Sequence, residues 1–160
     1  MAAKTKKRKI SAGDVASNRQ AAYRYEFLDK LECGIALTGT EVKALRSGQA
    51  TIKDGYADIS GGELWLHNVH IPPYADASRE NHEPERTRKL LAKRYEIERF
   101  SGRVKEKGLT LVPTRIYFKD SHAKVEIALA RGKDRFDKRE TIKARESQRD
   151  LQRALREANR

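Results

Sequence analysis

Hydrophobic residues recur at every second position in several short stretches, which predicts a protein built mainly of β-strands. The first stretch covers residues 23–37, where charged residues separate Tyr25, Phe27, Leu31 and other apolar side chains. The alternation loses its phase between Phe27 and Leu28, and Gly34 lies inside the stretch. We therefore expect a long strand with a bulge or a sharp bend.

Five further segments complete the predicted set of strands: residues 56–59, 63–69, 90–91, 109–118 and 124–130. Ser60-Gly61-Gly62 separates the first two of them, which is typical of a β-hairpin. Pro113 lies inside the fourth segment and predicts that this strand is bulged or lies at an edge of the sheet.

Two segments have helical spacing. In residues 40–48, Thr40 is a candidate N-cap, and Val42 and Leu45 lie on one face. Residues 94–107 place apolar side chains three or four positions apart. About six short strands with two or three short helices predict a mainly β fold, a small antiparallel barrel of the oligonucleotide-binding (OB) type.

Positive charge is concentrated at the two ends of the 160-residue chain, which carries a formal charge of +12. Residues 1–19 and residues 131–160 each have a net charge of +5, whereas the 111 residues between them have a net charge of +2. Solubility alone would not require this separation, so the pattern favours a polyanionic partner such as a nucleic acid.

The charge pattern divides the chain into a flexible basic leader (residues 1–17), a folded body (18–131) and a basic tail (132–160). Asp137 and Glu140 in the tail have the spacing of a helix capping box. The tail has few apolar residues, so we expect it to be disordered when free and helical when bound to a polyanion. A permanently packed terminal helix is the alternative.

The sequence lacks the signatures of several other classes. No apolar run approaches the ~20 residues of a membrane span, and no secretory signal is apparent. The single cysteine, Cys33, excludes a disulfide framework and is expected in the core, in keeping with a cytoplasmic compartment. No phosphate-binding loop or nucleophile elbow is found. His67 and His70 are expected on opposite faces of a strand, so we predict neither an enzyme nor a cofactor.

A few polar and aromatic residues are candidates for RNA contacts. Tyr23 is expected at the rim of the first strand, where it could stack on an RNA base, and Asn18 could bond a base edge. If Glu32 is buried it needs a partner, such as Lys124 or a hydrogen-bond donor of the RNA. A metal-dependent nuclease is a competing hypothesis, with its ligands drawn from four acidic residues: Glu32, Glu41, Asp54 and Asp58. A nuclear basic protein is another, suggested by the Lys-Lys-Arg-Lys run at residues 6–9.

Several motifs in the same order resemble the small protein B (SmpB) family of tmRNA-binding proteins. Asn18-Arg19-x-Ala-x-x-x-Tyr25 and the run Cys-Gly-Ile-x-Leu-x-Gly-x-Glu-Val-Lys-x-Leu-Arg at residues 33–46 resemble the opening of that family. Residues 86–91, 109–113, 124–133 and 137–139 are similar to its later motifs. The resemblance extends from about residue 11 to residue 160.

The resemblance implies an OB-type barrel that binds the tRNA-like domain of tmRNA and delivers it to stalled ribosomes for trans-translation. It implies that the tail enters the empty mRNA channel near the decoding centre of the small subunit, and that the protein, a monomer in solution, changes no covalent bond and contacts no membrane. An RNA-binding barrel without specificity for tmRNA is the alternative function.

The resemblance also assigns roles to individual residues. Six residues are expected to bind RNA: Asn18, Arg19, Tyr23, Glu32, Leu91 and Lys124. Seven tail residues are expected to contact the ribosome: Lys133, Phe136, Asp137, Lys138, Arg139, Lys143 and Arg145. Asp134 departs from the family pattern, in which a second lysine is usual, and this removes one potential phosphate contact.

Overall fold

The computed structural model describes residues 13–77, 80–106 and 108–159, with the side chains of residues 135 and 136 outside that description. Within these residues the chain forms seven strands: β1 (Asp14–Ser17), β2 (Tyr25–Ile35), β3 (Tyr56–Ser60), β4 (Glu63–His67), β5 (Arg88–Leu91), β6 (Leu109–Lys119) and β7 (His122–Gly132). The same residues form four helices: α1 (Arg19–Arg24), α2 (Gly39–Arg46), α3 (Arg94–Val104) and α4 (Arg135–Ala158).

The strands form one antiparallel sheet in the order β1-β6-β3-β4-β5-β2-β7, which confirms the prediction of a mainly β fold. Strand β6 also pairs with β7 along most of its length, so the pairings from β6 through β3, β4, β5, β2 and β7 close into a ring. The interior of this ring is the core, because alternate residues of each strand point inward.

A small apolar cluster supports α1 on the outside of the ring. Ala21 of α1 is buried with Val112 of β6 and with Ala128 and Ala130 of β7, and Tyr25 and Phe27 pack against them. The small side chains beneath α1 allow the helix to approach the sheet closely. This contact places the polar side chains of α1 at the surface of the molecule.

Both predicted irregularities are present. The register between β2 and β7 shifts between Phe27 and Asp29, and the register between β6 and β7 shifts between Pro113 and Arg115. Strand β6 has neighbours on both sides, so Pro113 occupies a bulge and not an edge. The extra residues bend β2 and β6, two of the three 11-residue strands, which favours closure of the ring.

The folded body begins earlier than predicted, because residues 14–17 of the expected flexible leader form strand β1. Its register runs from Asp14 opposite Tyr117 to Ser17 opposite Arg115, and Val15 and Ala16 are buried. The burial of Val15 and Ala16 and the pairing with β6 stabilise this strand, although the residues around it are mostly polar. Residues 1–12, which include the basic run at 6–9, lie outside the described residues.

Capping changes the predicted ends of three elements. Tyr23 lies in α1 and not in a strand, because the Asn18 side chain accepts the amide of Ala21 and begins a helix there. Helix α2 begins after Thr38 in a capping box with Glu41, two residues before the predicted cap Thr40. Helix α4 has Asp134 as its N-cap residue and not Asp137.

None of the helices in the described residues is both long enough and apolar enough to span a membrane.

Candidate nucleic-acid interface

Four neighbouring strands bring two of the predicted RNA contacts into one row on the outer surface of the ring. Leu91 of β5 lies opposite Gly34 of β2, Gly34 lies opposite Lys124 of β7, and Lys124 lies opposite Tyr117 of β6. Side chains of directly opposed residues share one face of a sheet. We call these four residues the sheet row. Its hydrophobic end is open, because Leu91 is 53% exposed.

Gly34 makes room for Leu91 in the sheet row. A Cβ atom at position 34 would lie 3.3 Å from Leu91 Cβ, which is tighter than nine in ten contacts of real Cβ atoms. A residue without a side chain is therefore needed at position 34 so that Leu91 fits beside it. The sequence pattern did not reveal this steric requirement, because it predicted only a bend.

Glu32 lies two residues before Gly34 and therefore on the same face as the sheet row. The Tyr117 hydroxyl donates a hydrogen bond to its carboxylate, and Lys119 Nζ lies 3.2 Å from Oε1. The Tyr117 hydrogen bond is the main reason that the pKa of Glu32 is lowered. The carboxylate is thus charged and held in one orientation, with an exposed side chain that can accept hydrogen bonds from an RNA base.

Glu32 is not buried, so the condition under which a partner such as Lys124 was expected does not arise. The side chain is 41% exposed, and its bonded partners are Tyr117 and Lys119. Lys124 acts on the pKa of Glu32 through its charge alone. The exposed side chain is compatible with the predicted RNA contact, because RNA can reach the carboxylate without a rearrangement of the protein.

A network of charged side chains continues the same face toward β1. Arg115 forms ion pairs with Asp14 and with Glu126, each at 3.3 Å, and its guanidinium lies 4.4 Å from the centre of the Tyr117 ring. Lys30 Nζ lies 3.1 Å from Glu126. Burial alone would raise the pKa of Glu126, but its hydrogen bonds and these cations lower it. Arg115 thereby fixes β1 and the Tyr117 ring relative to each other.

The sequence did not predict Tyr117, Lys119 or Arg115 as residues of this face. A signal was present, because these three residues alternate along β6 with inward-facing Ile116 and Phe118. Alternation shows that they share a face. Alternation does not show which residues of other strands lie beside these three side chains. Those neighbours depend on the register of β6 with β7 and of β7 with β2.

A buried ion cluster connects α2 to β5 and to the residues just before β5. The Glu41 carboxylate accepts hydrogen bonds from Arg86 at 2.6 and 2.7 Å and from Arg88 Nε at 2.8 Å. The Glu41 and Arg88 side chains are 0% and 1% exposed, and Arg88 also donates to the carbonyl of Val69. Burial would raise the pKa of Glu41, but the arginines and the Thr38 amide lower it to about 2.

This cluster removes Glu41 from the acidic residues considered as metal ligands. Its four hydrogen bonds all come from cations or a backbone amide. Among the described residues, no group of three or more His, Cys, Asp or Glu side chains could hold a metal ion. The grouping on which the nuclease hypothesis depended is therefore not formed.

Asn18 lies beneath α1 with its side chain already engaged. Its Oδ1 atom accepts the amide of Ala21, and its Nδ2 atom lies 3.3 Å from the carbonyl of Ile52 and 3.2 Å from that of Pro113. Reading a base edge would require these bonds to break. The geometry therefore favours Asn18 as a residue that positions its neighbours.

Lys133 joins the tail to α1. Its amide donates to the carbonyl of Arg24 at 2.9 Å, and its Nζ donates to Ala22 at 3.1 Å and to Thr141 at 3.3 Å. Carbonyls at the end of a helix attract cations, so the lysine is well placed there. It thus links the body to the first turns of α4.

An open cleft of about 480 Å³ separates α1 from α4. Arg19 and Tyr23 line it from α1, and Arg145 and Arg149 line it from α4. Arginine is well suited to phosphate, and tyrosine to a base. Three of these residues, Arg19, Tyr23 and Arg145, were predicted separately as body and tail contacts, and the structure brings them together.

The remaining tail residues project from α4. Asp137, Arg139 and Lys143 are exposed, Lys138 is half-buried, and the side chain of Phe136 lies outside the described part of the structure. Asp150 and Arg153 form an ion pair at 3.8 Å. Such pairs contribute little, and a helix with so few packed residues is marginal in water.

Two further side chains, those of Cys33 and His82, lie wholly or partly inside the protein. Cys33 is fully buried as predicted, and burial raises the pKa of its thiol to about 12. The His82 ring is partly buried between the Thr40 hydroxyl at 2.9 Å and the Ile71 carbonyl at 2.8 Å. His82 thus fastens the long loop before β5 to α2.

Comparisons with known proteins agree on one family. The family model described as SmpB protein matches residues 15–157. The SsrA-binding protein of Gloeothece citriformis is 57% identical over 142 residues, covering 88% of this chain and 92% of that protein. The SsrA-binding protein of Moorella thermoacetica is 56% identical over 144 residues, covering 89% of this chain and 93% of the relative.

A solved structure described as "tmRNA-SmpB: a journey to the center of the bacterial ribosome" contains a similar chain. The two chains share 47% sequence identity and superpose with a TM-score of 0.65. The match covers 79% of this chain and 93% of that chain.

Proposed function

Because this chain belongs to the SmpB family, we propose that it binds the tRNA-like domain of tmRNA and delivers tmRNA to stalled ribosomes for trans-translation. The protein acts by binding and not by catalysis, and it works in the cytoplasm as a monomer. Its ring of strands is the body, an OB-type barrel, and α4 is the part that occupies the empty mRNA channel near the decoding centre.

The outer face with Glu32, Leu91 and Lys124 supports tmRNA binding most directly. Leu91 provides an exposed apolar side chain and Lys124 provides a cation, and both belong to the sheet row. Glu32, two residues before Gly34 on the same face, provides an oriented carboxylate. Folded RNA is recognised by phosphate contacts together with a few base contacts, and this face provides groups for both. Arg19 and Tyr23 extend the surface on α1.

The tail provides the second contact. Helix α4 presents cations along its length and few packed side chains, so we expect it to be disordered in the free protein and to gain stability from RNA. Asp137, Lys138 and Arg139 form the group that contacts ribosomal RNA, and Phe136 stacks on a base there. Lys133, Lys143 and Arg145 add phosphate contacts.

Competitive binding tests the RNA specificity. The purified protein is titrated at physiological salt with labelled tRNA-like domain of tmRNA, against unlabelled tRNA and unrelated structured RNA. We expect tmRNA to be displaced only by itself. Equal displacement by all three RNAs would show a general RNA-binding protein instead.

Neutral substitutions in the tail test the division into two parts. Replacing Asp137, Lys138 and Arg139 together by alanine should abolish tagging of stalled chains while tmRNA affinity stays within about twofold. A triple variant that loses both activities together would contradict the proposal that body and tail act separately.

A further inference from the structure

A narrow crevice of about 220 Å³ lies beside α1 and is distinct from the sheet row. Six of the residues around it carry groups that suit a nucleotide: Gln20, Arg24, Tyr25, Lys53, Tyr56 and Thr110. Sites for drug-sized ligands are larger, about 300–1,000 Å³, so this space suits one flat ring system. None of its residues other than Asn18 was predicted as a contact.

The walls of the crevice are fixed by hydrogen bonds and close packing. Asn18 donates to the carbonyls of Ile52 and Pro113, which ties the loop before β3 to strand β6. In the same loop, a Cβ atom on Gly55 would lie 2.9 Å from a Val69 methyl carbon and 3.0 Å from Pro113. The crevice is therefore present before any ligand binds, which lowers the entropy lost on binding.

Tyr56 gives the crevice a rigid aromatic wall. Its ring stacks on His67, with 4.9 Å between ring centres and an angle of 18° between the planes. His67 is itself held by Asp58 at 2.8 Å and by the Thr87 hydroxyl at 3.2 Å. Even so, Tyr56 is 43% exposed. A large aromatic ring that is both fixed and open is a surface suited to stacking.

We infer that this crevice binds one unpaired RNA base, which stacks on Tyr56 while Lys53 and Arg24 contact the adjoining phosphates. The inference rests on the proposed function and adds a base-binding site to it. The Gln20 amide and the Thr110 hydroxyl can bond the base edge, and Asp54 at the margin can accept a base amino group. Asn18 acts here as a positioning residue.

The mixture of groups favours RNA over other polyanions. An acidic peptide or a free phosphate would use the cations but would gain nothing from the aromatic walls, and Asp54 would repel it. A base with its phosphates uses both kinds of group, and stacking tolerates any base. The base comes either from tmRNA or from ribosomal RNA, and the experiment distinguishes these sources.

Three tyrosine variants test the stacking contact. Tyr56→Ala removes the ring, Tyr56→Phe keeps it, and Tyr95→Ala is the matched control because Tyr95 is a 61% exposed tyrosine on α3, outside the crevice. Affinity is measured for the tRNA-like domain of tmRNA and, separately, for stalled ribosomes without tmRNA. Circular dichroism and thermal midpoints establish that each variant is folded.

We expect Tyr56→Ala to weaken binding to one of the two RNAs roughly 5- to 150-fold, the range of one base–aromatic stack. Tyr56→Phe and Tyr95→Ala should bind like the wild type. The RNA that loses affinity identifies the source of the base. Unchanged affinity of Tyr56→Ala for both RNAs, or equal loss in Tyr95→Ala, would overturn the inference.

The phosphate contact has its own readout. Lys53→Ala should reduce the slope of log affinity against log salt by about 0.7–0.9 for the same RNA, the contribution of one phosphate contact. An unchanged slope would remove Lys53 from the site. If the wild type prefers tmRNA and none of these variants differs from it, the crevice inference fails and the proposed function stands. A wild type without that preference contradicts the proposed function itself.

Discussion

The buried cluster of Glu41, Arg86 and Arg88 allows a quantitative prediction about stability. Glu41→Gln keeps the shape of the side chain and removes its charge, which leaves Arg88 buried without a counterion. Breaking a buried ion pair in this way costs about 3–5 kcal/mol. We expect the free energy of unfolding at pH 7, measured with urea, to fall by about 3 kcal/mol or more.

The pH dependence of this difference provides an independent check. The pKa of Glu41 is lowered to about 2 in the folded protein, whereas a glutamate in the unfolded chain titrates at its ordinary pKa of 4.5. A lowered pKa stabilises the folded state above the unfolded pKa, and this stabilisation is lost as the pH falls toward 2. Between pH 7 and pH 3.5 the difference in the free energy of unfolding between wild type and Glu41→Gln should therefore narrow by about 1 kcal/mol.

The Glu63–Lys89 pair serves as the control. It also involves β5 and has a bond of 2.6 Å, but its side chains are 44% and 41% exposed. Glu63→Gln should change the free energy of unfolding by less than about 1 kcal/mol. A loss below about 1 kcal/mol for Glu41→Gln, or a gap that does not change with pH, would refute the reasoning.

Three further predictions concern the outer face and the core. Gly34→Val should displace Leu91 and weaken binding to the tRNA-like domain about tenfold in an anisotropy titration, whereas Gly102→Val, in open space on α3, should not. Tyr117→Phe should raise the pKa of Glu32 toward its ordinary value, as followed by carboxyl NMR, and an unchanged pKa would contradict the role of the hydroxyl. Native Cys33 should resist alkylation at pH 8 and react once urea unfolds the chain, because its thiol is buried with a pKa of about 12; rapid labelling of the folded protein would exclude this burial.

The sequence predicted those parts of the fold that depend on local pattern. Alternation located five of the seven strands in the described residues, and the apolar pair Leu90-Leu91 marked a sixth; Ser60-Gly61-Gly62 correctly placed the β3–β4 hairpin. The step at Leu28 and the position of Pro113 each marked a bulge. These signals are informative because the alternation of side chains along a strand and the geometry of a turn depend only on neighbouring residues.

What the sequence did not predict depends on distant partners. Strand β1 exists because β6 is available to pair with it, and α1 begins where Asn18 meets carbonyls from residues 52 and 113. The hydrogen bond between Glu32 and Tyr117 depends on the register of β2 with β7 and of β7 with β6. The crevice at Tyr56 likewise combines three separate segments, from residues 18–25, 53–56 and 110–112, which no local pattern reveals.

The attachment of the tail at Lys133 has a mechanical consequence. Helix α4 has 24 residues and is therefore about 36 Å long, and it meets α1 at one end. A rotation of about 10° at that joint moves the far tip by about 6 Å, from simple lever geometry. Because Arg19 and Tyr23 lie on α1 itself, a small movement of that six-residue helix shifts the far end of α4 by about the size of a nucleotide when α4 is helical, as we propose for the ribosome-bound protein.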